Sequence, residues 1–211
     1  MTTRDSFDKI VTYFAAMTSQ QFSYKGKAYY PKPLVVSPLI LRHFICHQKC
    51  GACCPRFSLD YIPAEVRPDY VQSRCVNFNG REFKIYSDLQ NDHDNHHCRN
   101  LDMKKALCMI YEERPFSCDF EILRFFHFAE GPNRISTQLF GRAWALTRID
   151  GQKGAKCELL EPSETGRDEA VRKLRRLQQW CKYFKLKSKT AKLITILNNA
   201  DMETFGGARI D

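Results

Sequence analysis

Four cysteines within nine residues constrain this chain more than any other feature of its sequence. They are Cys46, Cys50, Cys53 and Cys54. A second set is spread further apart, with nine residues in each gap: Cys98, Cys108 and Cys118. Thiolates two to four residues apart can share one ion, and sulfur donors favour zinc and iron–sulfur centres over Mg²⁺ and Ca²⁺. Gly51 lets the backbone turn tightly inside the first cluster. The spacing therefore predicts a metal-binding chain.

Cysteine has two other common roles, as a small buried hydrophobe and as half of a disulfide. Burial as a hydrophobe is a poor explanation for the first cluster, because this cluster is dense in cysteine and contains the polar residues His47, Gln48 and Lys49. Disulfides are typical of secreted proteins, but the N-terminus lacks the basic, then apolar, then small-residue pattern of a signal peptide. No run approaches the ~18 apolar residues of a membrane span. We therefore expect a cytoplasmic protein with reduced thiols and no membrane contact.

The apolar pattern predicts an α+β fold. The chain has 211 residues, of which 43% are hydrophobic and 27% charged, as in ordinary globular domains. Helical spacing predicts a helix over 5–19, a long helix from Thr165 with a Thr165–Asp168 capping box, and a shorter helix around 191–198. Alternation predicts short strands over 57–61 and 81–86, and a hairpin joining 120–128 to 134–148. We expect a small irregular core organised by metal and clamped by the terminal helices.

Three regions follow from this pattern. Residues 1–40 form an N-terminal helix and connector, residues 41–162 a cysteine-cluster metal-binding domain, and residues 163–211 a basic helical region packed on the core. Between Arg167 and Lys192, ten cations face two acids, a net charge of +8 out of the chain's +9. Trp180, Tyr183 and Phe184 are interleaved with these cations. Such a segment predicts binding of nucleic acid or an acidic protein, or a solvated helix face with no partner.

The cysteines also belong to a longer pattern. Cys108 and Cys118 bound the segment Cys-Met-Ile-Tyr-Glu-Glu-Arg-Pro-Phe-Ser-Cys. With the first cluster, it resembles a bacterial cysteine-cluster family that has a CxxCxxCC signature and is described as zinc- or iron-chelating. The resemblance covers about residues 44 to 160, although the first gap here is Cys-x-x-x-Cys. It implies metal chelation, and it implies that Cys157, which follows Gly154-Ala-Lys, is a further ligand.

The candidate ligands are then eight thiols, enough for two four-thiolate centres: Cys46, Cys50, Cys53, Cys54, Cys98, Cys108, Cys118 and Cys157. Cys75 could replace one of them, whereas Cys181 lies on the apolar stripe of a predicted helix and is expected in the core. Zinc would make the centres redox-silent, and an iron–sulfur cluster would add electron transfer. The vicinal Cys53 and Cys54 favour iron–sulfur, as does a similar cluster in flagellin lysine methylases, where it resembles an iron–sulfur site attached to methyl transfer.

Several residues near the cysteines are candidates for contact with a metal centre. Arg114 can donate to cluster sulfurs or to backbone carbonyls, or it can form a salt bridge with Glu112, Glu113 or Asp119. Tyr111 is expected in the core with its hydroxyl bonded, and both residues are candidates for cofactor contact. The histidines of the stretch 92–97 could hold a catalytic iron or zinc, or could lie in a solvated loop: His93, His96 and His97.

Two functions are consistent with these features. The first is an iron–sulfur or zinc protein that supports redox or group-transfer chemistry on a macromolecular substrate. The second is a non-catalytic zinc module that binds nucleic acid or an acidic partner through its basic C-terminal helix. Whether the chain is an enzyme stays open, because it contains no Walker loop, dinucleotide fingerprint or nucleophile elbow.

Overall fold

The computed structural model describes residues 6–46, 60–66, 72–87, 100–102, 104–105, 107–118, 125–128 and 157–211. The helices in these ranges are α1 (Ser6–Met17), α2 (Glu164–Tyr183) and α3 (Thr190–Asn198). The strands are β1 (Phe22–Tyr24), β2 (Lys27–Tyr29), β3 (Leu34–Val36), β4 (Phe44–Cys46), β5 (Asp60–Tyr61), β6 (Gln72–Phe78), β7 (Arg81–Ser87), β8 (Leu101–Asp102), β9 (Leu107–Cys108), β10 (Phe126–Phe128), β11 (Cys157–Leu159) and β12 (Ala208–Ile210). The predicted α+β class is confirmed.

The strands form small antiparallel sheets rather than one large sheet. The β6–β7 hairpin carries β5 at its edge, and β3 lies between β10 and β12. Three two-stranded ladders complete the set: β1–β2, β4–β11 and β8–β9. Several of these ladders join segments far apart in the sequence, so the fold depends on long-range pairing.

An aromatic cluster forms the centre of the core and joins the two ends of the chain. Phe78 at the end of β6 contacts Phe7 and Phe14 of α1, with ring centroids 6.4 and 5.7 Å away, and Phe184 after α2 at 5.2 Å. All four rings are buried. The apolar spacing that predicted α1 is confirmed, because its apolar positions face this cluster. One core therefore contains residues from each of the three regions drawn from the sequence.

The start of α2 differs from the prediction. The helix begins at Glu164, and its cap is Ser163, whose side-chain oxygen accepts a hydrogen bond from the Gly166 amide at 3.1 Å. The capping box of Thr165 and Asp168 is therefore wrong. Ser163 and Thr165 both carry a hydroxyl, but Ser163 has the extended backbone that a cap requires, whereas Thr165 already lies inside the helix.

Gly166 lets α2 approach the segment that leads into β4. A Cβ at this position would lie 2.0 Å from the carbonyl oxygen of Leu41, which itself accepts from the Ser163 amide at 3.0 Å. We expect Gly166→Ala to lower the free energy of unfolding by about 1–3 kcal/mol, because backbone must move to admit the methyl group. Urea unfolding measures this change. Gly206→Ala, which enters open space, is the control, and equal midpoints for the two variants would contradict the prediction.

Other expectations are met in part. A 3₁₀ turn covers Pro63–Glu65, and α3 matches the shorter helix predicted around 191–198. Of the predicted hairpin, 126–128 form β10, which pairs with β3; residues 134–148 lie outside the described part of the chain, as do Phe57 and Leu59. Among the described helices, none has the length and apolar character needed to cross a membrane.

Candidate metal centre

The β4–β11 ladder brings two predicted ligands together along the backbone. Cys46 and Cys157 are direct partners in this antiparallel pair, although more than a hundred residues separate them in sequence. The pairing continues outside the ladder, because the Leu160 amide donates to the His43 carbonyl at 3.0 Å. Directly opposed residues in antiparallel strands have Cα atoms about 4.5–5.5 Å apart. That separation is close enough for two thiolates to reach one ion at about 2.3 Å.

A second pair of cysteines bounds a compact loop. Cys108 ends β9, where it is paired with Leu101 of β8, and the Met109 amide donates to the Asn100 carbonyl at 2.8 Å. Two 3₁₀ turns follow, Tyr111–Glu113 and Phe116–Cys118. Both Cys108 and Cys118 are half-buried and carry thiols. Because β8 begins three residues after Cys98, the β8–β9 ladder links two segments that contain predicted ligands.

The middle of this loop is held by contacts between Tyr111, Arg114 and Glu169. The Arg114 guanidinium lies 4.1 Å from the centroid of the Tyr111 ring, and its Nε donates to the Tyr111 carbonyl at 3.2 Å. The Tyr111 hydroxyl donates to Oε1 of Glu169 in α2 at 2.8 Å. Arg114 therefore donates to a backbone carbonyl, as one expectation held. It also lies near the Glu169 carboxylate, with Nη2 4.0 Å from Oε1.

Glu65 forms a second link between the same loop and α2. One of its carboxylate oxygens accepts from the Phe116 amide at 3.0 Å. The other accepts from the Trp180 indole at 2.7 Å and from the Ile62 amide at 3.3 Å. Sequence reasoning missed Glu65 and Glu169, since both look like ordinary surface acids. The only available signal for Glu65 was its position at the end of the Pro63-Ala64-Glu65 turn.

The remaining described cysteines differ from the predicted ligands. Cys181 is buried in the core, as predicted, and burial raises the pKa of its thiol to about 12. Because metals bind the thiolate, this residue is a poor ligand. Cys75 is exposed on β6 opposite Lys84, and a hydrogen bond with Glu82 raises the pKa of its thiol. No predicted ligand is its partner in the β6–β7 ladder.

The other candidate ligands lie outside the described residues: Cys50, Cys53, Cys54, Cys98, His93, His96 and His97. Within the described ranges, no group of three or more cysteine, histidine or acidic side chains is close enough to hold an ion. What the structure does show fits a thiolate-bound zinc or iron. Two cysteines are backbone partners and two more are half-buried thiols. In addition, the buried Ser117 hydroxyl, beside Cys118, finds no hydrogen-bond partner in the described part.

The basic segment is only partly available to a partner. Lys173 and Lys189 are buried, and Arg172 and Arg176 contact Glu112. A second group is exposed and forms no ion pair within the described ranges: Arg175, Lys182, Lys185, Lys187 and Lys192. Two of the three interleaved aromatics, Trp180 and Phe184, are buried in the core and are therefore not available to stack on bases. Both rings are part of the buried apolar cluster instead.

Residues 45–135 match the CxxCxxCC family, described as "Putative zinc- or iron-chelating domain". No curated protein matches the chain, and no solved structure does. The likeness to the cluster of flagellin lysine methylases therefore stays a prediction.

Proposed function

We propose that the chain holds a thiolate-bound iron–sulfur centre for redox or modification chemistry on a macromolecular substrate. The match of residues 45–135 to the CxxCxxCC family model, described as a zinc- or iron-chelating domain, supports metal binding. The observation that carries the proposal is the backbone pairing of Cys46 with Cys157. Cys157 lies beyond the family match, yet β11 returns it to the residue that opens the first cysteine cluster. A cluster bound there would supply electron transfer.

The chain's own residues would hold the centre from two directions. The β4–β11 ladder contributes Cys46 and Cys157, and the Cys108–Cys118 loop contributes two half-buried thiols. Cys50, Cys53, Cys54 and Cys98 complete the proposed set. α2 supports both parts, because it packs against the Pro38–Leu41 turn before β4 and contacts the loop through Tyr111 and Phe116.

Charge also supports a thiolate centre. Four thiolates around zinc, or around an oxidised four-iron cluster, leave about −2 per site. Arg114, which is only 7% exposed, lies in the loop between two candidate ligands. Buried cations need anionic neighbours, and a thiolate centre together with Glu169 would provide them.

A zinc module that binds a polyanion is the second candidate. The exposed cations at the end of α2 and after it favour this function, since Lys182, Lys185 and Lys187 have no carboxylate partner in the described ranges. Phosphate backbones attract such residues through counterion release. Because Trp180 and Phe184 are buried, the half-buried Tyr183 is the one interleaved aromatic in this segment that could stack on a base.

Anaerobic purification followed by analysis for iron, zinc and sulfide tests the proposal. We expect a brown protein that contains iron and acid-labile sulfide. A colourless protein that contains zinc, and whose binding to nucleic acid weakens steeply with salt, would instead support the second candidate. A folded protein that contains neither metal would contradict both. Cys181→Ala serves as the control, because its thiol lies in the core and its loss should leave the metal content unchanged.

A further inference from the structure

We propose that Glu169 is a positioning residue for the metal centre, because its carboxylate fixes the middle of the loop whose ends are Cys108 and Cys118. This inference rests on the proposed function and adds a residue to it. Glu169 lies on α2, outside the residues 45–135 that match the family. Its role therefore follows from the fold of this chain rather than from the family pattern.

Glu169 receives several donors on a single oxygen. The Tyr111 hydroxyl, Lys173 Nζ and Arg172 Nη2 lie 2.8, 3.2 and 3.4 Å from Oε1. Arg114 Nη2 is 4.0 Å away. The Glu169 side chain is only 11% exposed, so these interactions operate largely away from bulk solvent. Two of the donors come from the cysteine loop and two from α2 itself.

The two loop donors, Tyr111 and Arg114, also contact each other. Arg114 covers the Tyr111 ring at 4.1 Å and donates to the carbonyl of the same residue at 3.2 Å. Tyr111 is three residues from Cys108, and Arg114 is four residues from Cys118. A displacement of this pair therefore moves the backbone next to both thiols. Pro115 follows Arg114, is buried and has a fixed φ. It therefore restricts the backbone between Arg114 and Cys118.

The loop has a second attachment to α2 that does not use Glu169. Glu65 accepts from the Phe116 amide and from the Trp180 indole, and the Trp180 and Phe116 rings are 5.7 Å apart. Loss of the Glu169 carboxylate should therefore leave the loop docked on the helix. It should also leave Arg114 and Lys173, each with a side chain 7% exposed, without this anion. The expected effect is a loop that remains folded but presents its thiols less well.

The rate of metal release to an excess of chelator measures this effect. Partners of metal ligands typically change metal affinity by 10- to 100-fold when they are replaced. We expect Glu169→Gln to release metal about 10- to 100-fold faster than wild type, in native buffer where both proteins stay folded by circular dichroism. Tyr111→Phe should accelerate release in the same direction. The double variant should be no faster than Glu169→Gln alone, because both changes break one link.

Asp168→Asn is the matched control. Asp168 is the neighbouring acid, its side chain is 76% exposed, and it lies 3.8 Å from Arg167 Nε, away from the cysteine loop. Release from this variant should equal that of wild type. Equal rates for Glu169→Gln and wild type would overturn the inference, as would equal acceleration in both acid variants. If Glu169→Gln does not fold, Glu169→Asp, which keeps the charge and shortens its reach, must still show faster release.

The two proposals fail in different ways. A wild-type protein without bound metal would overturn the proposed function and this inference together. A wild-type protein that holds metal, with Glu169→Gln indistinguishable from it, would overturn only the role of Glu169.

Discussion

Replacing Cys46 and Cys157 together with serine is expected to remove most of the bound metal and much of the chain's stability. Serine keeps the size of the side chain but lacks a soft thiolate. Structural metal sites of this kind contribute about 10–16 kcal/mol to folding in small zinc peptides. A domain's whole free energy of unfolding is only about 5–15 kcal/mol, so loss of the metal should be decisive.

Metal content per chain and thermal unfolding measure this effect. Cys75→Ser is the matched control, because Cys75 is exposed on the β6–β7 hairpin and is paired with Lys84 rather than with another cysteine. We expect the control to keep its metal and its unfolding transition. A double variant that retained full metal content and a cooperative transition would show that β4 and β11 meet for structural reasons alone.

Trp180→Ala is expected to lower the free energy of unfolding by about 3–5 kcal/mol, which is the usual loss for a large buried aromatic. Trp180 is fully buried, and its ring contacts Phe116 at 5.7 Å, Phe184 at 6.0 Å and Phe14 at 6.3 Å. The substitution also removes the indole that donates to Glu65 at 2.7 Å. It therefore opens a cavity and weakens the attachment of the cysteine loop at once.

Trp180→Phe separates these two causes. It keeps an aromatic ring in the core but removes the donor to Glu65, and an unsatisfied group typically costs about 1–3 kcal/mol. Urea unfolding of the metal-loaded variants gives both values. We expect Trp180→Phe to fall between wild type and Trp180→Ala. A loss below about 1 kcal/mol for Trp180→Ala would contradict the place of Trp180 at the centre of the core.

Local patterns in the sequence predicted the helical parts of the fold well. The spacing of Phe7, Ile10, Val11, Phe14 and Met17 gave α1, because a helix buries one face with this period. The stripe on α2 placed Cys181 in the core for the same reason. The exact cap of α2 was missed, since Ser163 and Thr165 are both good caps and only the backbone decides between them.

Long-range pairing could not be read from the sequence. Cys157 entered the predicted ligand set through the family resemblance, but nothing local indicated that it pairs with Cys46. The contacts of Glu65 and Glu169 depend on how α2 packs against the Cys108–Cys118 loop. The sequence alone does not indicate which glutamates take part in such packing. The charge of the basic segment was interpreted as one surface, whereas packing divides it into buried, paired and exposed cations.

X-ray absorption spectroscopy at the edge of the bound metal tests the central claim most directly, because it counts sulfur neighbours without assuming which metal is bound. We predict a first shell dominated by sulfur at about 2.3 Å in the anaerobically purified protein. The sulfur count should fall in the double variant of Cys46 and Cys157 and stay unchanged in Cys75→Ser. A first shell of oxygen and nitrogen alone, at about 2.0–2.2 Å, would contradict the account.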